Sequence, residues 1–500
     1  LGDVYKRQEE ANIFDVIAMS AMAFIIAVIS YRDQSEKALL SSVIVCFIFV
    51  AIMFVYERKL INSKILNYVV FAVCLVEMGI NANTGVKTVT VTGYSNYPRN
   101  SESVSDLIGS VESEDNGFYR IETMSNYTIN DPALYGYKGV SQFSSTANVN
   151  VTNIMKSLGL QASAAGNRYY YNQNTAVINM FLNLKYLISH DSYSGDLTYL
   201  DPLASKDGVS IYENNRYLPI GFAAESSISE YKGESFIQFD NQNELFRLAT
   251  GIEEDVLTRV DIKDVGHKGL NVIKSGYGNY SYQYSAPDDG SEDCYLKFNY
   301  TVPDDGPLYV TFDFGEIKNV RIKVGDSVMR THSSGKYMDI FAAGDFNAGD
   351  VVSFQADAKD QKNGSGTIYV YQINSDVFER GYRKLLKGAL NVTKYDDTII
   401  KGNIIAEDDC LMYTSIPYDG GWKAYVDGKE TEVQSIKNAF VCVPMSAGEH
   451  TVELRYCPPG FVVGAVISIL SVATLVLLWI FVPKVKKKRF MSGEGTAENK

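Results

Sequence analysis

Histidine, cysteine and tryptophan are scarce in this chain, with 4, 6 and 2 residues respectively among 500. The His and Cys residues are scattered, and no group of them has the spacing of zinc ligands. The sequence therefore identifies no cofactor, and it leaves open whether a divalent metal assists. Apart from residues 484–489 there is no basic patch, and the net charge is −13. Phosphate backbones bind clustered Lys and Arg, so this charge pattern argues against a nucleic-acid partner.

Charge is absent from residues 461–482, an apolar run long enough to cross a hydrocarbon core of roughly 30 Å. Three more apolar segments lie near the start, at 14–29, 38–55 and 65–80, and the first is short and contains Asp15. Basic residues follow the C-terminal run at once and predict that this end lies in the cytoplasm: Lys484, Lys486, Lys487, Lys488 and Arg489.

The loop between the second and third apolar segments contains Arg58, Lys59 and Lys64 against Glu57. Short basic loops stay inside, so the next polar stretch, about 84–459, is predicted to be extracytoplasmic and the C-terminus cytoplasmic. Cys46 and Cys74 lie in the apolar segments. The other four cysteines lie in the predicted extracytoplasmic region, where disulfides are permitted: Cys294, Cys410, Cys442 and Cys457. Cys442 and Cys457 are one possible pair, because they lie on neighbouring predicted strands. Four thiols allow three sets of pairings, and the sequence does not choose among them.

The chain divides by composition into a series of segments. Residues 1–10 differ in character from the rest of the chain and are expected to be a non-native or disordered leader. Residues 11–83 contain three predicted transmembrane helices. Residues 84–255 have a mixed pattern, with a strand at 117–122 and a helix at 150–160, which predicts an α+β domain. The remaining segments are a β-sandwich-like domain at 256–379, a second β-rich module at 380–459, a transmembrane helix at 460–482 and a basic cytoplasmic tail at 483–500.

A weak internal repeat runs through the strand-rich region. Each copy has an alternating strand, a second strand that ends in a Gly/Asp turn, and an Ala-Gly-Asp/Glu turn that starts a third strand. The first copy covers 307–314, 320–326 and 346–354, and the second covers 410–417, 422–428 and 447–454. Two such units predict one or two β-sandwiches of the jelly-roll type. Residues 380–387 predict a short basic helix or linker between them.

Several motifs make the chain resemble the bacterial YfhO family of membrane proteins. The most specific is Gly-Gly-Trp-Lys-Ala-Tyr-Val-Asp-Gly at 420–428, with Ala-Gly-Glu-His at 447–450 and the terminal apolar helix. Further motifs follow the same order: Phe-Tyr-Arg-Ile-Glu at 118–122, Gly-Val-Ser-Gln-Phe-Ser-Ser at 139–145, Asn-Leu-Lys-Tyr-Leu-Ile at 183–188, and Tyr-Glu-Asn at 212–214 ahead of Leu-Pro at 218–219. The resemblance covers roughly residues 10–490.

The resemblance implies a multi-pass α-helical membrane protein of the GT-C type with a large extracytoplasmic region. Such proteins are expected to transfer a sugar from an undecaprenyl-phosphate donor to teichoic acid or a related envelope polysaccharide. The resemblance also implies that the catalytic acidic residue lies upstream of Leu1. We therefore expect this chain to be the C-terminal portion of a longer protein, and no catalytic residue is assigned in it.

Candidate substrate-binding residues come from the motif segments. Arg120 faces a phosphate in one interpretation and, with Glu122, belongs to an ordinary charged strand face in the other. The loop at 139–145 either covers a lipid-linked sugar or is a structured turn. Trp422 either stacks on a sugar or fills the sandwich core. The full set of candidates is Arg120, Glu122, Ser141, Phe143, Ser144, Tyr418 and Trp422.

Three functional hypotheses are consistent with these features. In the first, the chain is part of a membrane glycosyltransferase, with a lipid-linked donor, an envelope polymer and the lipid bilayer as partners. In the second, it is a membrane-anchored carbohydrate-binding or structural surface module without catalysis. A transporter or flippase accessory is the weakest, because one large polar region dominates the chain.

Overall fold

The computed structural model describes residues 36–88, 100–190, 197–274, 281–285, 294–315, 317, 319–333, 338–358 and 363–493, with scattered residues between 17 and 25. Contacts divide the chain into two compact units, Leu1–Tyr97 and Pro98–Lys500. The finer domain boundaries drawn from composition stay predictions.

The first unit contains two apolar helices, α1 (Glu36–Glu57) and α2 (Ser63–Thr88). The Asn62 Oδ1 accepts a hydrogen bond from the Ile65 N–H at 2.9 Å, which satisfies a free donor at the start of α2. Ser63–Lys87 is long and apolar enough to cross a membrane, whereas Val43–Glu57 is a shorter apolar helix. The predicted span at 14–29 lies largely outside the described residues.

The second unit begins with an α+β part. Its main sheet has the order β1-β5-β7-β6, with β1 and β5 parallel. The helix predicted at 150–160 is confirmed as α5, which Asn148 caps. The elements are α3 Ser101–Glu114, β1 Arg120–Thr123, α4 Asp131–Tyr135, β2 Gln142–Phe143, α5 Val149–Ser157, β3 Gln161–Ala162, β4 Arg168–Tyr170, α6 Ala176–Phe181, β5 Leu184–Ser189, β6 Leu200–Lys206, β7 Val209–Asn214, β8 Gly221–Glu225, a 3₁₀ helix at Ser226–Glu230, and α7 Gln238–Thr250.

Next along the chain, two sheets pack around one apolar core. One has the order β10-β13-β18-β15-β16, and the other has the order β11-β12-β19-β14-β17 with β9 also paired to β19. In β13 the residues Leu296, Phe298 and Tyr300 point inward at every second position, the alternation expected when one face is buried. The strands are β9 Leu257–Val260, β10 Ile262–Lys268, β11 Asn271–Lys274, β12 Ser281–Ser285, β13 Tyr295–Thr301, β14 Gly306–Asp313, β15 Asn319–Val324, β16 Ser327–Ser333, β17 Phe341–Phe346, β18 Val351–Asp357 and β19 Asn363–Ile373.

A second pair of sheets follows, with the orders β20-β21-β27-β23-β24 and β25-β26-β22-β8. The strand β8 comes from the α+β part and completes the second of these sheets. The basic helix predicted at 380–387 is confirmed as part of α8. The elements are α8 Ser375–Lys387, β20 Asn391–Tyr395, β21 Ile399–Ala406, β22 Cys410–Pro417, β23 Trp422–Val426, β24 Lys429–Thr431, β25 Gln434–Ile436, β26 Phe440–Met445, β27 Gly448–Tyr456 and α9 Phe461–Gly493.

The two copies of the internal repeat occupy equivalent places in the two sandwiches. In the first copy β14 lies in one sheet, while β15 pairs with β18 in the other. In the second copy β22 lies in one sheet, while β23 pairs with β27 in the other. Each copy therefore supplies strands to both layers of one sandwich, and the β-sandwich part of the fold prediction is confirmed.

The turn predicted at Asp427 and Gly428 is also confirmed. Val426 pairs with Lys429 across it, and Asp427 and Gly428 have φ angles of 51° and 75°. Positive φ at both central residues is the requirement of the tightest β-hairpin turns, which Asp-Gly satisfies at little cost.

All six cysteines lie among the described residues, and none of them forms a disulfide bond there. The possible Cys442–Cys457 pair is wrong, because Cys442 is buried on β26 whereas Cys457 is exposed after the end of β27. Although β26 and β27 are consecutive in sequence, they belong to opposite layers of the sandwich.

Candidate functional site

One end of the second sandwich leads directly into α9. Strand β27 ends at Tyr456, and only residues 457–460 separate it from Phe461. Trp422 at the start of β23 is in register with Tyr456. The Tyr456 N–H donates to the Thr398 carbonyl at 2.8 Å, which places the β20–β21 turn at the same level. We call this end, with Tyr395, Thr398, Tyr418, Asp419, Trp422 and Tyr456, the helix-proximal rim.

Trp422 is held on the rim by specific contacts. Its Nε1 donates to the Pro417 carbonyl at 3.1 Å, and its ring lies 4.9 Å from the Tyr456 ring. The indole is partly buried against the core of the second sandwich, which supports the core-packing interpretation. The Tyr456 hydroxyl donates to Asp419 at 2.6 Å, and Asp419 also accepts from the Gly421 N–H at 2.7 Å. A sugar-binding role for Trp422 stays a prediction.

Glu122 is not on an exposed charged strand face, because its side chain is 0% exposed. Its carboxylate accepts hydrogen bonds from the N–H groups of Thr123 at 2.9 Å, Val140 at 2.8 Å and Ser141 at 2.8 Å. Burial raises the pKa of Glu122, and these donors oppose the rise because they favour the charged form. Glu122 therefore organises the backbone at the start of the loop at 139–145.

The loop presents Phe143 to solvent on a fixed backbone. Phe143 is 44% exposed, while its N–H donates to Asn130 Oδ1 at 2.6 Å and its carbonyl accepts from Asn130 Nδ2 at 3.2 Å. Ser141 points inward and accepts from the Tyr171 N–H at 3.0 Å. Ser144 is half-buried, and its hydroxyl lies 3.0 Å from that of Thr146. The loop is thus a structured turn that carries one exposed aromatic ring.

Asn148 joins this loop to the rim. Its Oδ1 caps α5 by accepting from the Asn150 N–H at 2.9 Å, and its Nδ2 donates to the Tyr418 carbonyl at 2.9 Å. Val149, the next residue, is 53% exposed. Phe143, Val149 and Tyr418 are therefore held on neighbouring segments at this end of the molecule.

Arg120 fastens the α+β part to the second sandwich. Its guanidinium donates to the Leu182 carbonyl at 2.9 Å and to the Ser415 carbonyl at 3.1 Å, and it also contacts the Ser415 hydroxyl. Ser415 in turn donates to Asn183. The guanidinium is therefore bonded to protein carbonyls. Arg120 was expected on a charged strand face, but it lies in the contact between the α+β part and the second sandwich.

The predicted residues thus fall into two groups. Phe143, Ser144, Tyr418 and Trp422 lie on or near the surface of the loop and rim, whereas the other three hold the loop and the sandwich in place: Arg120, Glu122 and Ser141. The sequence-based interpretation missed Asn130, Asn148, Asn183 and Ser415. Of these, only Asn148 had a local signal, because it precedes the apolar run of a predicted helix, as an N-cap residue does.

A separate buried polar cluster lies where the α+β part meets the first sandwich. Asp339 Oδ2 accepts from Gln161 Nε2 at 2.9 Å and Asn172 Nδ2 at 3.0 Å, and it lies 3.9 Å from His332 Nε2. The His332 ring stacks on Phe341 with centroids 3.6 Å apart. Burial raises the pKa of Asp339 to about 6 and lowers the pKa of His332 to about 3.

We expect the pH effects of these two groups on stability to oppose each other between about pH 4 and pH 6. The folded-state pKa of Asp339 lies above its ordinary value of 3.8, so the folded state binds the extra proton in this window. The contribution of Asp339 to the free energy of unfolding therefore falls as pH rises through the window. The folded-state pKa of His332 lies below 6.5, so the unfolded state binds the extra proton and stability falls on acidification.

Single substitutions should separate the two effects. Compared with the unsubstituted protein, Asp339→Asn should make the free energy of unfolding fall more steeply on acidification, by at most about 1.4 kcal/mol per pH unit, because the opposing contribution of Asp339 is removed. His332→Phe should change the slope in the opposite direction, because the contribution of His332 is removed. Urea unfolding of the full chain in detergent, repeated from pH 4 to pH 7, measures both slopes. Equal slopes in the two variants would contradict this assignment.

Comparison with known proteins identifies one family. The family model described as "Bacterial membrane protein YfhO" matches residues 3–468. A curated relative from Bacillus subtilis (strain 168), described as "Uncharacterized protein YfhO", is 25% identical over 421 residues, which cover 77% of this chain and 45% of the relative. The chain therefore spans about 45% of that relative's length.

Two solved structures show a limited likeness. A family 35 carbohydrate binding module from Clostridium thermocellum is 13% identical and covers 23% of this chain and 96% of its own, with a TM-score of 0.17. A carbohydrate binding module from Cellvibrio mixtus lichenase 5A in complex with cellotriose is 9% identical and covers 23% and 93%, with a TM-score of 0.16. TM-scores this low support no conclusion about ligand.

Proposed function

Since the chain belongs to the YfhO family of bacterial membrane proteins, we propose that it is the C-terminal part of a multi-pass membrane glycosyltransferase of the GT-C type. The enzyme would transfer a sugar from an undecaprenyl-phosphate-linked donor to an extracytoplasmic polymer such as teichoic acid. Residues 84–459 would lie outside the cytoplasm and the C-terminus inside. The lipid bilayer, the lipid-linked donor and the polymer are the proposed partners.

The observation that carries the proposal is where the candidate residues lie. The loop with Phe143 is joined through Asn148 to Tyr418 at the rim, and the rim leads into α9 within residues 457–460. A lipid-linked sugar is confined to the membrane surface, so residues that meet it must lie close to a membrane-spanning element. The polar segment is also flanked by two helices apolar enough to span a membrane, Ser63–Lys87 and Phe461–Phe481.

In this proposal the described residues bind and orient substrate. Phe143 supplies an aromatic face for a pyranose ring, and Ser144 and Tyr418 supply hydrogen-bonding groups beside it. Glu122 fixes the loop, so that little ordering entropy is lost on binding. We do not assign the role of catalytic base to Glu122, because its carboxylate is engaged by three backbone donors.

A carbohydrate-binding module without catalysis is the second candidate. The exposed ring of Phe143 on a rigid loop favours it as well, because binding alone needs no general base. The two candidates differ in one consequence: only the enzyme changes the covalent structure of the polymer.

The test uses the full-length gene in its bacterial host. Deleting it should remove a sugar substituent from an envelope polymer, detected by mass spectrometry of purified teichoic acids and related polysaccharides. Complementation with Phe143→Ala should restore about a tenth of the decoration, since truncating a central aromatic anchor costs on the order of 1.4 kcal/mol or more. The matched control is Ile405→Ala, which removes a 55% exposed side chain from the opposite end of the second sandwich.

Full decoration in the deletion strain would overturn the transferase proposal. If decoration is normal in the deletion strain and the Phe143→Ala protein no longer binds the polymer, the chain is a carbohydrate-binding module without catalysis.

A further inference from the structure

The helix-proximal rim is rich in aromatic side chains that are only partly buried against the core of the second sandwich. We propose that the rim lies in the headgroup layer of the bilayer that α9 enters, with Trp422 and Tyr456 at the level of the lipid headgroups. The inference does not rest on the proposed transferase activity. It concerns a contact between the polar unit and lipid, in addition to the membrane span itself.

The length of the connection restricts the distance between the rim and the membrane. The Phe461 N–H donates to the Pro458 carbonyl at 3.1 Å, so residues 458–461 form a turn. A turn spans less than about 7 Å between its end Cα atoms, and the two residue steps from Tyr456 to Pro458 add at most about 7 Å. The Cα of Tyr456 therefore lies within about 14 Å of the start of the apolar helix.

This end of the sandwich is also fixed to the connection itself. The Cys457 N–H donates to the Gly421 carbonyl at 3.0 Å, which ties the residue after β27 to the residue before Trp422. Together with the Trp422–Tyr456 pairing, this bond fixes the first residue of the connection to the rim, so that only residues 458–460 lie between the fixed part and the helix. The connection is thus a short, bonded one and not a flexible linker.

The chemistry of the rim suits a lipid–water interface. Tyr395, Tyr418, Trp422 and Tyr456 all lie at this end, and Trp and Tyr are the residues enriched at the level of lipid headgroups. Trp422 and Tyr456 each present an apolar ring with a polar atom already hydrogen-bonded to protein. Such side chains are stable where one side is apolar and the other is wet.

Neighbouring groups extend the same surface. Phe143 and Val149 are exposed apolar side chains on the segments that Asn148 ties to Tyr418. Lys138 places its ammonium 5.2 Å from the centre of the Tyr395 ring, where it can meet a lipid phosphate. Lipid contact would bury apolar groups that otherwise face water.

Tryptophan fluorescence tests the proposal, because Trp422 and Trp479 are the two tryptophans of the chain. The Trp479→Phe protein, reconstituted at full length in phosphatidylcholine vesicles, reports on Trp422 alone. Nitroxide on the lipid headgroup should quench its emission at least about twofold more than nitroxide at the chain end, which lies near the centre of a core roughly 30 Å thick. Far-UV circular dichroism checks that the variant is folded.

The matched control places a tryptophan at the other end of the same strand. Glu449 lies near the start of β27, about 23 Å from Tyr456 at the usual rise per strand residue. With Trp422→Phe, Trp479→Phe and Glu449→Trp combined, headgroup nitroxide should quench no more than it quenches a soluble tryptophan.

Two outcomes would overturn the proposal. One is Trp422 emission that a soluble quencher reduces but no labelled lipid does. The other is equal quenching, by headgroup nitroxide, of the Trp479→Phe protein and of the control protein that carries Glu449→Trp.

Discussion

Replacing Glu122 with leucine should lower the free energy of unfolding by about 3–5 kcal/mol, because each buried donor left without an acceptor costs about 1–3 kcal/mol. Three backbone N–H groups, those of Thr123, Val140 and Ser141, lose their acceptor. Because the side chain at position 122 is 0% exposed, water from the solvent cannot readily take the place of the carboxylate as an acceptor.

Hydrogen–deuterium exchange gives the local measurement. Peptides that cover the loop at 139–145 should lose protection in the Glu122→Leu protein, whereas peptides from β13 in the first sandwich should not. The control is Glu449→Leu, at an exposed position of β27, for which a change within about 0.5 kcal/mol is expected. Unchanged protection of the loop would show that Glu122 does not hold it.

The second large effect is expected at Phe222, in the contact between the α+β part and the second sandwich. Phe222 is 0% exposed, and its ring lies 5.8 Å from that of Phe181 and 5.1 Å from that of Tyr413. Phe222→Ala should cost about 3–5 kcal/mol, because it removes apolar contacts and leaves a cavity between well-packed rings.

Thermal unfolding of the full chain in detergent measures this effect, and limited proteolysis between 220 and 230 reports whether β8 has detached. Phe236→Ala is the matched control, since Phe236 is 70% exposed and its truncation leaves no cavity. Equal unfolding midpoints for the two variants would contradict the assigned role of Phe222.

Features set by neighbouring residues were predictable from the sequence. The Asp427-Gly428 turn depends on the φ freedom of two adjacent residues, and α5 and α8 follow from local caps and periodicity. The repeat predicted one or two sandwiches, because an alternating strand pattern reflects burial of one face.

Features set by distant partners were not predictable. Glu122 has the sequence signature of an exposed carboxylate, and its burial depends on N–H groups at 140 and 141. Strand β8 reads Gly-Phe-Ala-Ala-Glu, which has no clear alternation and gives no sign of its partner β22. The disulfide hypothesis failed for the same reason, because sequence proximity does not indicate which layer a strand joins.

The pairing of β8 with β22 also constrains how the protein is made. Gly221 pairs with Thr414, so the whole first sandwich is synthesised between the two partners. When the ribosome has finished the α+β residues, β8 still lacks its neighbour, and it stays unpaired until β22 emerges. The nascent polypeptide therefore keeps one β-strand edge unprotected until residues 410–417 have been made, and this edge is a defined site for unwanted strand pairing in the meantime.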